Sequence, residues 1–199
     1  MTSTSYFFSV AFVLLLMSQL FMAYRTARIE SPNFTVVESF ENFEIRNYEA
    51  MNVAKTSMLD GAYEKSSKSG FKTIANYIFG GNKENQKIAM TSPVIMEIGE
   101  GSTMSFVMPK EHSYENLPEP NSGEIELVQI QPKTYAVLAF TGFANDLKIE
   151  KHAKRLLQFM KAENLKPIGA IQYLGYNPPW QVLGRTNEVA VEVIYSDKL

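Results

Sequence analysis

Chemistry in this 199-residue sequence would have to come from two histidines, ten methionines and a scatter of carboxylates, because it contains no cysteine. That absence removes disulfides, thiolate nucleophiles and cysteine-held metals together. His112 lies in the polar stretch KEHSYENLPEP, where a solvated imidazole is expected. His152 stands among Glu150, Lys151 and Lys154, as a surface helix residue would. The acidic residues show no spacing that would set up a general acid–base pair. No HExxH, GxSxG, GxxxxGK or GxGxxG occurs, so zinc hydrolysis, serine nucleophile chemistry and phosphate cradling lack sequence support. The glycine pair Gly80-Gly81 reads as a helix stop. Met51, Met90 and Met96 could offer a thioether to a metal, but methionine in such strands more often fills core. What remains is chemistry of binding rather than of bond breaking.

The segments that must position these groups alternate between strand and helix patterns. Phe43–Ser57 reads as one strand with a bend, carrying Phe43, Ile45, Met51 and Val53 on one parity. Asp60 is a candidate N-cap for a helix to Phe79, with Tyr63, Ser67, Phe71, Ile74 and Ile78 at helical spacing. Lys87–Ile98 and Thr103–Met108 read as strands around Gly99 and Gly101, and a loop with Pro118, Pro120 and Gly123 follows. The order then recurs. Ile125–Ile130 and Tyr135–Thr141 are strand-like; Asn145 or Asp146 caps a helix to about Glu163, with Ile149, Ala153, Leu156, Leu157 and Met160 inward. Ile168–Tyr173 and Glu188–Tyr195 complete the set. Met51–Ala54 matches Tyr135–Leu138 at an offset of 84, and Pro93 matches Pro178 at 85. The repeat predicts an α+β fold of two βαββ halves in one pseudo-twofold domain, with a cleft where they meet.

Composition narrows the partners. Hydrophobic residues make up 45% and charged ones 20%, ordinary for one globular domain. Arg25 and Arg28 belong to a leader without acidic residues, which leaves 17 basic residues (19 less these two) against 21 acidic, or −4, for the body. A mildly acidic body argues against nucleic acid, whose phosphates call for a basic excess. Tyr6–Tyr24 is uncharged and just long enough to cross a bilayer. It lacks a basic n-region, and Phe21 is a poor residue at −3 from a cut after Ala23. An uncleaved anchor over residues 1–24 is therefore favoured over a cleaved export signal, with 25–35 as linker and 36–197 as the ligand-binding domain. Arg25 and Arg28 would hold the body on the cytoplasmic side, but two charges leave the side of the membrane open. Asn33-Phe34-Thr35 is a glycosylation sequon, meaningful only in a secretory lumen.

Five segments, in order and register, carry a resemblance. They are Phe43–Tyr48 (FEIRNY), Tyr77–Asn82 (YIFGGN), Lys87–Val94 (KIAMTSPV), Gly175–Trp180 (GYNPPW) and Gly184–Val189 (GRTNEV). Together they resemble the SOUL/heme-binding family over roughly residues 35–195. The resemblance implies a duplicated βαββ fold shared with bacterial GyrI-like effector-binding domains. It also implies heme or a related tetrapyrrole as a bound ligand rather than a catalytic cofactor. Thr186 departs from the family's usual second arginine in that motif, and Tyr48–Ser57 lacks the histidine some members are thought to use. What the resemblance then implies is a shallow apolar groove between the first helix and the loop before the last strand. Its candidate residues are Lys68, Phe71, Lys72, Ala75 and Phe79 on the helix, and Tyr176, Trp180 and Arg185 on the loop. Lys72 and Arg185 would hold the propionates, and Tyr176 and Trp180 would stack on or edge the ring. From the residues alone, Lys68 and Lys72 fit a solvated helix face, and Trp180 fits a core plug, better than a ligand contact. A general small-molecule effector-binding domain is the alternative reading, and a hydrolase using a cleft carboxylate is a further one.

Overall fold

A computed structural model describes residues 3–58, 63–99 and 101–195. A long helix, α1 (Ser3–Thr26), precedes β1 (Phe34–Ser39), β2 (Glu44–Tyr48) and β3 (Met51–Ser57). Helix α2 (Tyr63–Ile78) leads to β4 (Val94–Ile98) and β5 (Thr103–Val107). Strands β6 (Ile125–Ile130) and β7 (Lys133–Thr141) are followed by α3 (Asp146–Ala162), β8 (Pro167–Gly175) and β9 (Thr186–Val193). Asp60, expected to cap α2, lies outside the described residues. Asn145 does cap α3, its side chain accepting from the Lys148 N–H.

All nine strands form one antiparallel sheet in the order β1-β2-β7-β9-β8-β4-β5-β3-β6. Ile95 of β4 faces Leu174 of β8 at its middle, and the pseudo-twofold axis passes there. On either side β7-β9-β8 repeats β3-β5-β4, so βαββ does occur twice. The offset of 84 holds in register: Val53 pairs with Val107 and Val128, and Val137 pairs with Ala190 and Glu44. The Pro93–Pro178 match does not hold, because Pro93 precedes β4 whereas Pro178 follows β8.

The expected bent strand Phe43–Ser57 is two strands at opposite ends of the sheet. After Glu49-Ala50, β3 stays with its own half against β5, while β2 crosses to pair with β7 of the other half. In return β6, from the second half, pairs with β3 of the first. The halves therefore exchange their leading strands. Phe34 and Thr35, read as linker, belong to β1, which extends the sheet beyond β2 with a bulge near Val37. Lys87–Ile98 is a strand only from Val94. Proline at 93 has no N–H to donate, and the preceding residues bond outside the sheet, Ile88 N–H to Ile78 O and Ser92 N–H to Glu30 O.

Both helices cover one face of the sheet. Ile74, Tyr77 and Ile78 of α2 and Ile149, Leu156 and Met160 of α3 pack there with Ile45, Met104, Val189 and Val191. Burial of each such aliphatic side chain stabilises by about 1.5–3 kcal/mol. Leu157, expected inward, sits on the helix flank, 36% exposed. Phe71 is 40% exposed, with its ring leaning on Phe106 at 5.2 Å. The end of α2 is fixed by the YIFGGN segment. Gly80 takes φ +108°, and a Cβ on Gly81 would meet Asn76 O at 2.6 Å. Fully buried Asn82 then ties the turn by donating to Tyr77 O and Gln86 O.

The exchanged strand is held by charge on the opposite face. Arg46 of β2 donates to Glu188 of β9 at 2.9 Å and to Glu44 at 2.7 Å. Glu188 also accepts from the Tyr176 hydroxyl at 2.6 Å. Burial disfavours the charged guanidinium, but Glu188, Tyr48 and Glu44 outweigh it and raise the Arg46 pKa above its ordinary value. Removing one partner of such a buried pair strands the other. Arg46→Met is expected to lower unfolding free energy by about 3–5 kcal/mol, whereas Arg46→Met with Glu188→Leu recovers most of it. Urea unfolding of the three proteins checks this, and equal losses in the single and double variants would refute it.

Candidate functional site

Two surfaces could hold a ligand, and the sheet separates them. The first is the cleft on the helix-free face, centred on the pseudo-twofold axis. It has a volume of about 530 Å³ and a floor that includes Tyr48, Ile95, Tyr135, Leu174 and Ala190. These residues alternate with the core residues along each strand, the period-2 pattern that puts neighbours on opposite faces. Its charged groups are already matched: Lys55 with Glu97 at 3.3 Å and Lys133 with Glu192 at 2.5 Å. Burial pushes the Glu97 carboxyl toward the neutral form, but the Thr103 hydroxyl and Lys55 win and hold its pKa below the ordinary value. Burial also raises the Tyr135 phenol. Glu188 is the buried carboxylate of this face, 5% exposed, and it is engaged by Arg46 and Tyr176 rather than isolated. A general base needs a carboxylate with a free lone pair facing substrate. Glu188 does not offer that arrangement.

The second surface is the outer side of α2. Lys68, Lys72 and Phe79 are exposed and Ala75 is buried; together they form one stripe at spacings of four, three and four residues. Phe79 is 58% exposed, and Phe71 adds its open edge beside the stripe. Neither lysine is in an ion pair among the described residues.

The loop residues expected to close this groove have other duties. The Arg185 guanidinium is buried, donating to the carbonyls of Pro178 and Gln181 at 2.7 Å and more weakly to Asn177, and lying 4.5 Å from the Phe143 ring. It organises the loop, so its expected role as a propionate partner is corrected: its donors face carbonyls. Its Nε is buried without a partner. Tyr176 points to the helix-free face and Glu188, and burial with that neighbouring carboxylate pushes its phenol well above the ordinary range. Trp180 is 62% exposed, which also overturns the core-plug reading. Around them Asn187 accepts from the Tyr173 hydroxyl and donates to Gly142 O, tying the loop base down. At the start of α2, Tyr63 meets Tyr173 of β8 edge-on at 5.1 Å.

The histidines and methionines lie elsewhere. His152 stacks on Phe140 at 4.1 Å with Nδ1 2.7 Å from Lys148 O, so it is more integrated than a surface residue. His112 is not solvated as expected. Its half-buried ring lines a polar pocket of about 230 Å³ with Glu30, Asn33, Glu49 and Lys110. Met96 is core, Met51 lies against the cleft, and Met90 is 43% exposed. Among the described residues no group of three or more histidine and acidic side chains could hold a metal ion.

Sequence reasoning missed Arg46, Tyr48 and Glu188 as a set. Their signal was present: Arg46 and Tyr48 come from FEIRNY, Tyr176 from GYNPPW and Glu188 from GRTNEV, three distant segments that meet at one buried cluster.

The arrangement matches known proteins at two levels. In fold, it superposes on the C-terminal domain of EcmrR with a TM-score of 0.59 at 10% identity, covering 82% of this chain and 99% of that one. It superposes on a hydrolase from Listeria innocua with a TM-score of 0.51 at 11% identity, covering 79% and 94%. At such identities the likeness concerns fold alone. In sequence, it is 27% identical over 157 residues to heme-binding protein 2 of Homo sapiens, covering 74% of this chain and 76% of that protein. It is 26% identical over 155 residues to heme-binding protein 1 of Xenopus laevis, covering 74% and 81%. The model of the SOUL heme-binding protein family matches residues 29–192, most of the chain and all of the cluster just described, and the chain belongs to that family.

Proposed function

We propose that this protein binds heme or a related tetrapyrrole on the outer face of α2, without catalysing a reaction, in a buffering, carrying or sensing role. The observation that carries the reading is the combination of free cations and open aromatic surface on one helix. A porphyrin is a wide apolar disc that gains from leaving water, and its two propionates need cations at the edge. Lys68 and Lys72 would take the propionates; Phe71, Ala75 and Phe79 would cover the ring, with Trp180 at the margin. The loop residues Tyr176 and Arg185 support that margin from behind. Iron is left to weak or external ligands on this face, since both imidazoles are elsewhere.

Charge favours α2 over the cleft for a dianionic ligand. In the cleft, Lys55 and Lys133 already have carboxylate partners, so a dianionic ligand would have to displace Glu97 or Glu192. On α2, among the described residues, neither Lys68 nor Lys72 has a carboxylate partner to displace. The cleft suits an uncharged or balanced flat apolar molecule, and its volume lies within the ordinary range for small-molecule sites. A general effector-binding role at the cleft is therefore the second reading, favoured by that cavity. The hydrolase reading has less to rest on, given that Glu188 is paired.

Helix α1 is proposed as a membrane anchor. Tyr6–Thr26 is long and apolar enough to cross a bilayer, and that span is not buried against the body. An apolar helix that finds no core to enter is suited to lipid.

Three outcomes follow. Full-length protein is expected to sediment with membranes at its full mass, while a chain beginning at Ser31 stays soluble; a soluble product trimmed near Ala23 would instead establish an export signal. Hemin should shift the Soret band equally in wild type and in a protein carrying both His112→Ala and His152→Ala. Loss of the shift in that variant would contradict the α2 site. Lys72→Glu should weaken hemin binding several-fold, since an exposed charge-assisted contact contributes less than the roughly 1.5–3 kcal/mol of a sheltered one, and should reduce quenching of Trp180. Val128→Glu on the cleft wall should leave it unchanged. The reverse pattern, with circular dichroism intact in both, would move the ligand to the cleft.

A further inference from the structure

The loop between β8 and β9 is bound to α1 at a depth that has consequences. The Val182 N–H donates to Gln19 Oε1 at 2.8 Å, and the Thr26 hydroxyl donates to Gln181 Oε1 at 2.7 Å. Ala23 lies against Gly184, within 3.9 Å of where a Cβ on that glycine would stand. The contacts thus run along α1 from Thr26 back to Gln19, seven residues or about 10 Å of helix. Gln19 is, with Ser18, a polar residue inside the apolar run. Ser18 satisfies itself by donating to Leu15 O at 2.7 Å, and Gln19 gains a partner from the loop. An unsatisfied amide in hydrocarbon is costly, so the loop supplies what the helix needs at that depth.

The same loop exposes apolar side chains beside the helix. Trp180 is 62% exposed, Val182 55% and Leu183 43%. Phe143, held to the loop through Arg185, is 53% exposed, and Leu147 on the following turn is 78% exposed. At the helix end, Arg28 lies over Tyr24 at 4.3 Å and Arg25 over Phe21 at 6.0 Å, the aromatic and cationic mixture suited to a headgroup layer. A patch of this kind, continuous with a membrane-length helix, fits lipid better than water.

We infer that the Pro178–Gly184 loop, with Phe143, is a second membrane-contacting element that enters the interface of the bilayer in which α1 is anchored. The domain is then attached at two points, and its orientation to the membrane is set. The inference rests on the anchor reading of α1, and because Trp180 also borders the proposed tetrapyrrole site it is tested without ligand.

The test uses full-length, ligand-free protein with phosphatidylcholine vesicles, and Trp180 as the single indole in the chain. The protein should float with the vesicles, and Trp180 emission should shift to the blue. Lipids brominated near the headgroup end of the acyl chain should quench it at least twofold, more than lipids brominated near the chain end. Val182→Asp with Leu183→Asp should still float, with quenching at least halved and circular dichroism unchanged. Flotation with Trp180 unquenched would overturn the loop's role and leave the anchor standing. Quenching that the double variant leaves intact would assign Trp180's lipid contact to α1 alone, and would also overturn it. Failure to float would remove the anchor and this inference together.

Discussion

The exchange of leading strands between the two halves is the constraint on which the rest of this molecule depends. Because β2 pairs with β7 and β6 with β3, neither half has a complete sheet of its own. The buried Arg46–Glu188 pair, capped by the Tyr176 hydroxyl, locks that exchange from the helix-free face. Such a pair contributes little net stability against a well-packed apolar alternative, yet it is severe on arrangements that leave one charge unmatched. A slip of β2 by one residue would point Arg46 into the apolar core and Ile45 toward the cleft. The ion pair thus selects a register more than it adds binding energy to the fold.

That lock also divides labour between the two faces. Arg46, Glu188 and Tyr176, which serve the exchange, are bonded to one another on the helix-free face. The cleft is therefore a preformed cavity with balanced charge. The outer face of α2 is the reverse: exposed, with Lys68 and Lys72 in no ion pair among the described residues.

The fold was legible in the sequence where local pattern and tertiary role agree. Helical spacing gave α2 and α3, and the 84-residue offset located the pseudo-twofold from four residues in each half. The exchange was not legible, because Phe43–Ser57 has the same alternation whether its halves share one strand or two; the break at Glu49-Ala50 carries no glycine or proline. β1 went unread, since its three apolar residues, Phe34, Val36 and Val37, are all exposed at a sheet edge. The exposure of Lys68, Lys72 and Phe79 was readable because exposure follows helical phase. Arg185 was not: a loop arginine looks identical whether it faces a ligand or its own backbone carbonyls. The motif residues were recognisable as a set long before their common purpose was, because the contacts that unite them span more than 140 positions.

The strand exchange also shapes the order in which the chain can assemble during synthesis. At about 5–20 residues per second, β2 leaves the ribosome several seconds before β7, and longer still before β9 delivers Glu188. Over that interval Ile45 and Tyr48 have no sheet to join, and the first half cannot close into a finished unit. Native pairing is dominated by contacts distant along the chain, the class of topology that folds slowly. Nascent protein consequently presents a half-made apolar edge until the second half has been synthesised, and only then can the first half close.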